Sequence, residues 1–146
     1  MVKSSYECKK IINELLEEIY LYKDLSIKCW LFKPRNRWFF TDYLFVSELK
    51  PEDKLTYIDE EHMEVSLFQA LVIFIEQNSI LDRGETAYKL IAVRNIAGLS
   101  QSQLAEKLNI DVRNYAKWET GERIPKIESL KKIFNACGVE FKYYFE

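Results

Sequence analysis

The first apolar stripe along the chain, Ile11, Ile12, Leu15, Leu16, Ile19 and Tyr20, recurs at three- and four-residue steps. Such spacing buries one face of a helix and predicts one over about residues 5–23, with Ser4 and Glu7 in the Ser-x-x-Glu form of a capping box at its start. The next stretch, "SIKCWLFKPRNRWFFTDYLFV", is dense in aromatic and β-favouring residues and is broken by Pro34-Arg35-Asn36-Arg37. It reads as a β-hairpin. Residues 63–77, "MEVSLFQALVIFIEQ", form an apolar run whose length favours a buried helix, although its β-branched residues leave a strand open. Residues 1–83 are therefore expected to form an α+β domain of helix, β-hairpin and helix.

From residue 84 the pattern becomes that of an all-α domain of four short, well-punctuated helices followed by a short strand. Asp82 and Glu85 have the form of a capping box for a helix over 85–97, which Gly98 can end in the left-handed conformation. Ser100 and Gln103 form another box, opening a helix over about 101–108 that buries Leu104, Ala105 and Leu108. Asp111 can cap a third helix with Tyr115 and Trp118 on its inner face and Gly121 as its stop. Pro125 suits the first turn of a fourth, where Ile127, Leu130, Ile133, Phe134 and Cys137 share a face and Gly138 closes the helix. The period then becomes two: Val139, Phe141, Tyr143 and Phe145 alternate with Glu140, Lys142 and Tyr144, which predicts a half-buried strand over 139–145.

Charge divides along the same line. Residues 1–83 hold 11 Lys and Arg against 15 Asp and Glu, whereas residues 84–146 hold 10 against 8, so an overall charge of −2 conceals a mildly basic C-terminal part. Hydrophobic residues at 48% and charged residues at 30% are the balance of a soluble globular protein. No apolar stretch is long enough to span a membrane, and four acidic side chains within the first 20 residues do not suit a signal peptide, so a cytoplasmic location and no membrane contact are expected. The chemistry for catalysis or metal binding is thin. Cys8, Cys29 and Cys137 are far apart and form no CxxC pair, His62 is the single histidine, and four glycines build no phosphate loop. The carboxylates of Glu60 and Glu64 are read as solvated. No metal, no cofactor and no enzymatic activity are expected.

Two short helices joined by a tight turn, the second opening with polar and basic side chains, suit placement of one helix in the DNA major groove. Residues 89–138 contain "AGLSQSQLA", "YAKWETGERIP" and "IESLKKIFNACG" in an uninterrupted run. On these motifs, residues 85–138 resemble the lambda-repressor-like helix-turn-helix family, also called the Cro or XRE family. The resemblance implies that helix 112–119 enters the major groove of a double-stranded operator. It places Val112, Arg113, Asn114 and Lys117 at base-facing positions and Ser100, Gln101, Arg123 and Lys126 at phosphate-facing ones. Arg113 or Lys117 could donate to guanine O6 and N7, and Val112 could meet a thymine methyl. Asp111 also matches a base-facing position, but as the helix cap its role would be structural. Arg94 and Glu119 match a structural ion pair that ties the first helix of the domain to the end of the third.

The alternating segment 139–145 departs from the commonest family pattern, which continues with a fifth helix. It resembles the short C-terminal strands with which some antitoxins dimerise. A two-fold homodimer pairing through Val139, Phe141, Tyr143 and Phe145 is therefore expected, with pairing to the hairpin of the same chain as the alternative. Residues 1–83 match no family by inspection. Seven aromatics there, Trp30, Phe32, Trp38, Phe39, Phe40, Tyr43 and Phe45, lie within 16 residues. They exceed what a small hairpin easily buries, and some could form an interface with Arg35 and Arg37 on its rim. Two functions follow as expectations: an autoregulatory transcriptional repressor, or a bifunctional inhibitor of the antitoxin or phage anti-defence (anti-CRISPR) kind. In the second, residues 1–83 would neutralise a toxin or host defence protein while the basic part represses its own operon.

Overall fold

The computed structural model describes residues 5–32, 43–45, 62–79 and 81–145. The chain divides into two compact units, Met1–Asn78 and Ser79–Glu146.

In the first unit, α1 (Ser5–Tyr22) buries the stripe Ile11, Leu15 and Ile19, and ends where Lys23 turns left-handed at φ 54°. A three-stranded antiparallel sheet follows in the order β2-β1-β3, with β1 Lys28–Phe32, β2 Tyr43–Phe45 and β3 His62–Ser66. Strands β1 and β2 lie in the stretch read as a hairpin and pair antiparallel, Cys29 with Phe45 and Leu31 with Tyr43; the residues between them lie outside the described ones. Alternation fixes the buried face: Cys29 and Leu31 of β1 and Val65 of β3 are buried, while Lys28 and Glu64 are exposed. Helix α2 (Leu67–Asn78) packs against α1, β1 and β3, burying Phe68, Leu71, Phe74 and Ile75.

The helix expected over 63–77 is thus half strand at its start. Residues 63–66 complete the sheet beside β1, and the helix begins only after Ser66. The reason is a capping box: Gln69 N–H donates to Ser66 Oγ at 3.1 Å, and Ser66 N–H donates to Gln69 Oε1 at 3.3 Å. Ser4, the hairpin tip at 34–37, Trp38, Phe39, Phe40 and Glu60 lie outside the described residues, as do the side chains of Glu7, Cys8, Trp30, Phe32, Tyr43, Phe45, His62 and Phe145.

In the second unit, α3 (Glu85–Ala97), α4 (Gln101–Leu108), α5 (Val112–Thr120) and α6 (Ile127–Cys137) enclose a core of Leu90, Val93, Leu104, Tyr115, Leu130, Ile133 and Phe134. Gly98, Gly121 and Gly138 each end a helix in the left-handed conformation. Several expectations change: Leu108 is half-buried, and Pro125 precedes Lys126, the cap of α6, instead of lying in its first turn. Gly84, not Asp82, is the residue before α3, and Asp82 Oδ1 accepts the Gly84 N–H at 3.2 Å in a local turn. Ile127 is 57% exposed rather than part of the buried face of α6, because it opens the helix where no turn precedes it to cover it.

The predicted strand 139–145 is instead two residues without regular structure and a 3-10 helix, Phe141–Phe145. Side chains spaced by three and four decide it. Phe141 and Tyr144 stack at 5.5 Å, and both meet the Phe134 ring edge-on at 5.5 and 6.3 Å. Val139 and Tyr143 are buried within the same unit. Lys89, 5% exposed, donates to the Tyr144 carbonyl and pairs with Glu85 at 3.0 Å, while the Thr86 and Tyr144 hydroxyls share a hydrogen bond of 3.1 Å. The set Val139, Phe141, Tyr143 and Phe145 therefore presents no strand for a second copy to pair with.

Candidate nucleic-acid interface

The two central helices are set by their caps. Ser100 Oγ accepts the Gln103 N–H at 3.1 Å and Gln103 Oε1 accepts the Ser100 N–H at 2.8 Å, the reciprocal pair that starts α4. Asn109 ends it in the left-handed conformation at φ 57°, a geometry asparagine tolerates better than most residues. Two residues later Asp111 starts α5, its Oδ1 accepting the Arg113 N–H at 2.7 Å. The turn between α4 and α5 is therefore only residues 109–111.

Helix α5 is two-faced. Tyr115 and Glu119 are buried, and Trp118 is half-buried with its ring edge-on to Tyr115 at 5.9 Å. Val112, Arg113 and Asn114 are exposed and Lys117 is half-buried. Arg113 and Lys117, four residues apart, share a side of the helix. Of the expected base-facing set, Val112, Arg113 and Asn114 are thus exposed, and the half-buried Lys117 lies on the Arg113 side of the helix. Among the phosphate-facing set, Arg123 and Lys126 are exposed beyond the end of α5, and Ser100 is exposed at the start of α4. Gln101 has a different partner within the unit: its Nε2 donates to Glu119 Oε1 at 3.0 Å.

Glu119 is the junction of the domain. Arg94 of α3 donates to it twice, from Nε at 2.6 Å and from a terminal amino group at 2.8 Å, and its other amino group reaches the Leu99 carbonyl at 3.1 Å. The planar guanidinium matches the carboxylate fork, and Gln101 adds a third donor from α4. Burial pushes the Glu119 carboxyl up, but the donors of Arg94, the neighbouring Tyr115 hydroxyl and Gln101 hold it below the ordinary carboxylate range. The Arg94 guanidinium is raised in turn by its hydrogen bond to Glu119. Three helices are so fixed around the inner end of α5, which determines how its outer face is presented.

A second contact holds the same end of α5. Arg83 donates to the Glu119 carbonyl at 3.2 Å, and a side chain at Gly121 would sit 2.1 Å from the Arg83 carbonyl oxygen. The sequence marks Gly121 as a helix stop but not as a site of close backbone approach. Nor does it single out the Gln101–Glu119 hydrogen bond, since glutamine is common at helix starts for other reasons. The burial of Lys89 had one visible signal, its spacing of four from Glu85.

Cys29 and Cys137 are buried, and burial pushes their thiols up to about 12 and about 11, the opposite of a reactive cysteine. Among the described residues no group of His, Cys, Asp and Glu could hold a metal, and no helix is long and apolar enough to cross a membrane.

No curated protein and no solved structure matches the chain, and its N-terminal half matches no family model. Residues 90–144, which contain the Arg94–Gln101–Glu119 junction and all of α4, α5 and α6, match the Helix-turn-helix family model of the Cro/C1 type.

Proposed function

We propose that the chain is a transcriptional repressor that reads an operator through its second unit, with α5 in the major groove. The observation that carries this reading is the division of α5. One face is pinned to α3 and α4 through Glu119, and away from it Val112, Arg113 and Asn114 are open to solvent with the half-buried Lys117 beside Arg113. A rigidly held helix with a polar outer face is what base readout requires. Arg123 and Lys126 supply backbone contacts that set register, and at the start of α4 the N–H of Gln101 serves a phosphate while its side chain stays on Glu119. Regulation of its own promoter and binding as a two-fold dimer to half-sites about one turn apart complete the reading. The dimer contact is not a pairing of strands at residues 139–145.

The test is a gel-shift titration with full-length protein on the DNA upstream of its own gene, at two salt concentrations. Arg113→Ala and Lys117→Ala are each expected to weaken binding by about 1–3 kcal/mol. Arg123→Ala is expected to weaken binding to all sequences alike and to reduce the salt slope by about 1. No shift from a folded wild-type protein would overturn the reading. The separate compactness and acidic balance of the first unit favour a second activity, neutralisation of a partner protein such as a toxin or a defence protein. A pull-down with the Arg113→Ala/Lys117→Ala variant that returns only the protein itself would eliminate it.

A further inference from the structure

We propose that Asp111, besides capping α5, is a positioning residue for Arg113: its carboxylate holds the inner nitrogen of the guanidinium, leaving the two terminal amino groups as the pair that meets a guanine. This inference rests on the reading of α5 as the base-contacting helix.

Asp111 is itself fixed at two points. Its carbonyl accepts the N–H groups of Asn114 and Tyr115, both at 3.1 Å, and its Oδ1 accepts the Arg113 N–H at 2.7 Å. The carboxylate is therefore a constructed part of the first turn of α5, not a free surface acid. The same Oδ1 lies 3.5 Å from Arg113 Nε. One oxygen is thus hydrogen-bonded to the backbone of Arg113 and ion-paired, without a hydrogen bond, to its side chain.

The side chain it holds needs holding. Arg113 is 88% exposed, and no packing on the helix surface restricts it. An arginine with that freedom loses rotamer entropy when it pairs with a base, and it can pair through either of two edges, Nε with one amino group or the two amino groups together. A carboxylate on Nε occupies the first edge and selects the second. In water the ion pair is weak, because Asp111 is itself 48% exposed. When the groove closes over it and water leaves, the attraction strengthens.

The same carboxylate repels phosphates. A residue that only capped the helix would serve as well if it were asparagine or serine, which cap as effectively without charge. Asp111 therefore sacrifices general affinity and gains selectivity. The positioning role predicts a split that a structural role does not: removing the charge raises binding to non-specific DNA and lowers preference for guanine.

The experiment uses full-length wild type, Asp111→Asn, Arg113→Ala and the double variant, each enriching sites from a random duplex library of about 25 base pairs, long enough for two half-sites one turn apart. Affinity for an alternating adenine–thymine duplex is measured alongside. In wild type, one guanine position should depend on Arg113. Asp111→Asn should lose about tenfold of the preference at that position alone and bind the adenine–thymine duplex at least as tightly. In the Arg113→Ala background it should change nothing further. Its thermal midpoint should stay within about 2 °C of wild type, since the cap is kept. If it melts lower, Asp111→Ser, which caps but is too short to reach Nε, must show the same loss. Undiminished guanine preference in either charge-free variant overturns the proposal, as does relaxation at positions that Arg113→Ala leaves intact. A wild-type protein that enriches no sequence overturns the operator reading and this proposal with it, and that failure is visible before any variant is compared.

Discussion

Replacing Glu119 by glutamine tests whether the junction beneath α5 holds the second unit together. The side chain of Glu119 is 2% exposed and that of Arg94 is 18% exposed, so the substitution leaves a largely buried guanidinium without its counter-charge. Breaking a fully buried pair in this way costs about 3–5 kcal/mol, and the partial access of Arg94 to solvent reduces that to about 2–4 kcal/mol. The unit of residues 79–146 has a total stability of about 3–10 kcal/mol on general grounds. At about 4–8 °C per kcal/mol, its midpoint should fall by roughly 8–32 °C. Calorimetry of the full chain gives the transition, and hydrogen exchange of peptides covering α5 assigns it to this unit. The pH dependence supplies a second reading. The folded carboxyl lies below its ordinary value of 4.5. The stabilisation is therefore complete above that value and is lost as pH falls through the lower, folded one. Wild type should lose more stability than Glu119→Gln between about pH 5 and pH 3. A midpoint shift under about 3 °C, with α5 protection unchanged, would refute the reasoning and show that the pair is worth no more than a surface one. Replacing both partners, Arg94→Met with Glu119→Leu, should recover much of the loss, because no charge is then stranded.

Two further predictions concern the packing around this junction. Gly121→Ala should cost well over 2 kcal/mol, because the new Cβ meets the Arg83 carbonyl oxygen at φ +81°, whereas Gly98→Ala, at φ +69° with no atom within 4 Å, should cost only about 1 kcal/mol; equal urea midpoints would refute the close approach. Tyr144→Ala should cost about 1–2 kcal/mol by the same measure and leave the oligomeric state unaltered, since the ring packs on Phe134; an unchanged midpoint would instead suit a strand with Tyr144 on its outward side.

The helix-turn-helix was legible because its signals are local. Ser100 with Gln103, Asp111, Gly98, Gly121 and Gly138 each act through backbone groups within a few residues, so the sequence alone states what they do. The base-facing positions came from the resemblance, and periodicity alone would only have placed Tyr115 and Trp118 inside. Where the reading failed, a longer-range contact or a competing local one decided. The run at 63–77 is rich in apolar residues on both sides of Ser66, so hydrophobicity could not locate the change from strand to helix; the Ser66–Gln69 box could have done so. The residues at 139–145 satisfy a period of two and a spacing of three equally well. Phe134, on the preceding helix, and Lys89, distant in sequence, choose between them. The Asp82 box failed because its partner at 85 met a glycine cap with no side chain to reciprocate.

Arg83 gives the second unit an entry strap. Its guanidinium reaches the last turn of α5, its Nε donates to Ser79 Oγ at 3.2 Å, and its N–H donates to the Tyr88 hydroxyl at 3.0 Å. The charge count alone assigns residues 79–83 to the acidic half, but the hydrogen bonds of Ser79 and Arg83 belong to the second unit. A fragment or domain swap that starts at residue 84 would cut the strap and release the end of the helix it restrains. One that starts at residue 79 would carry the strap intact, so the two fragments differ by five residues and should differ in how firmly α5 is held.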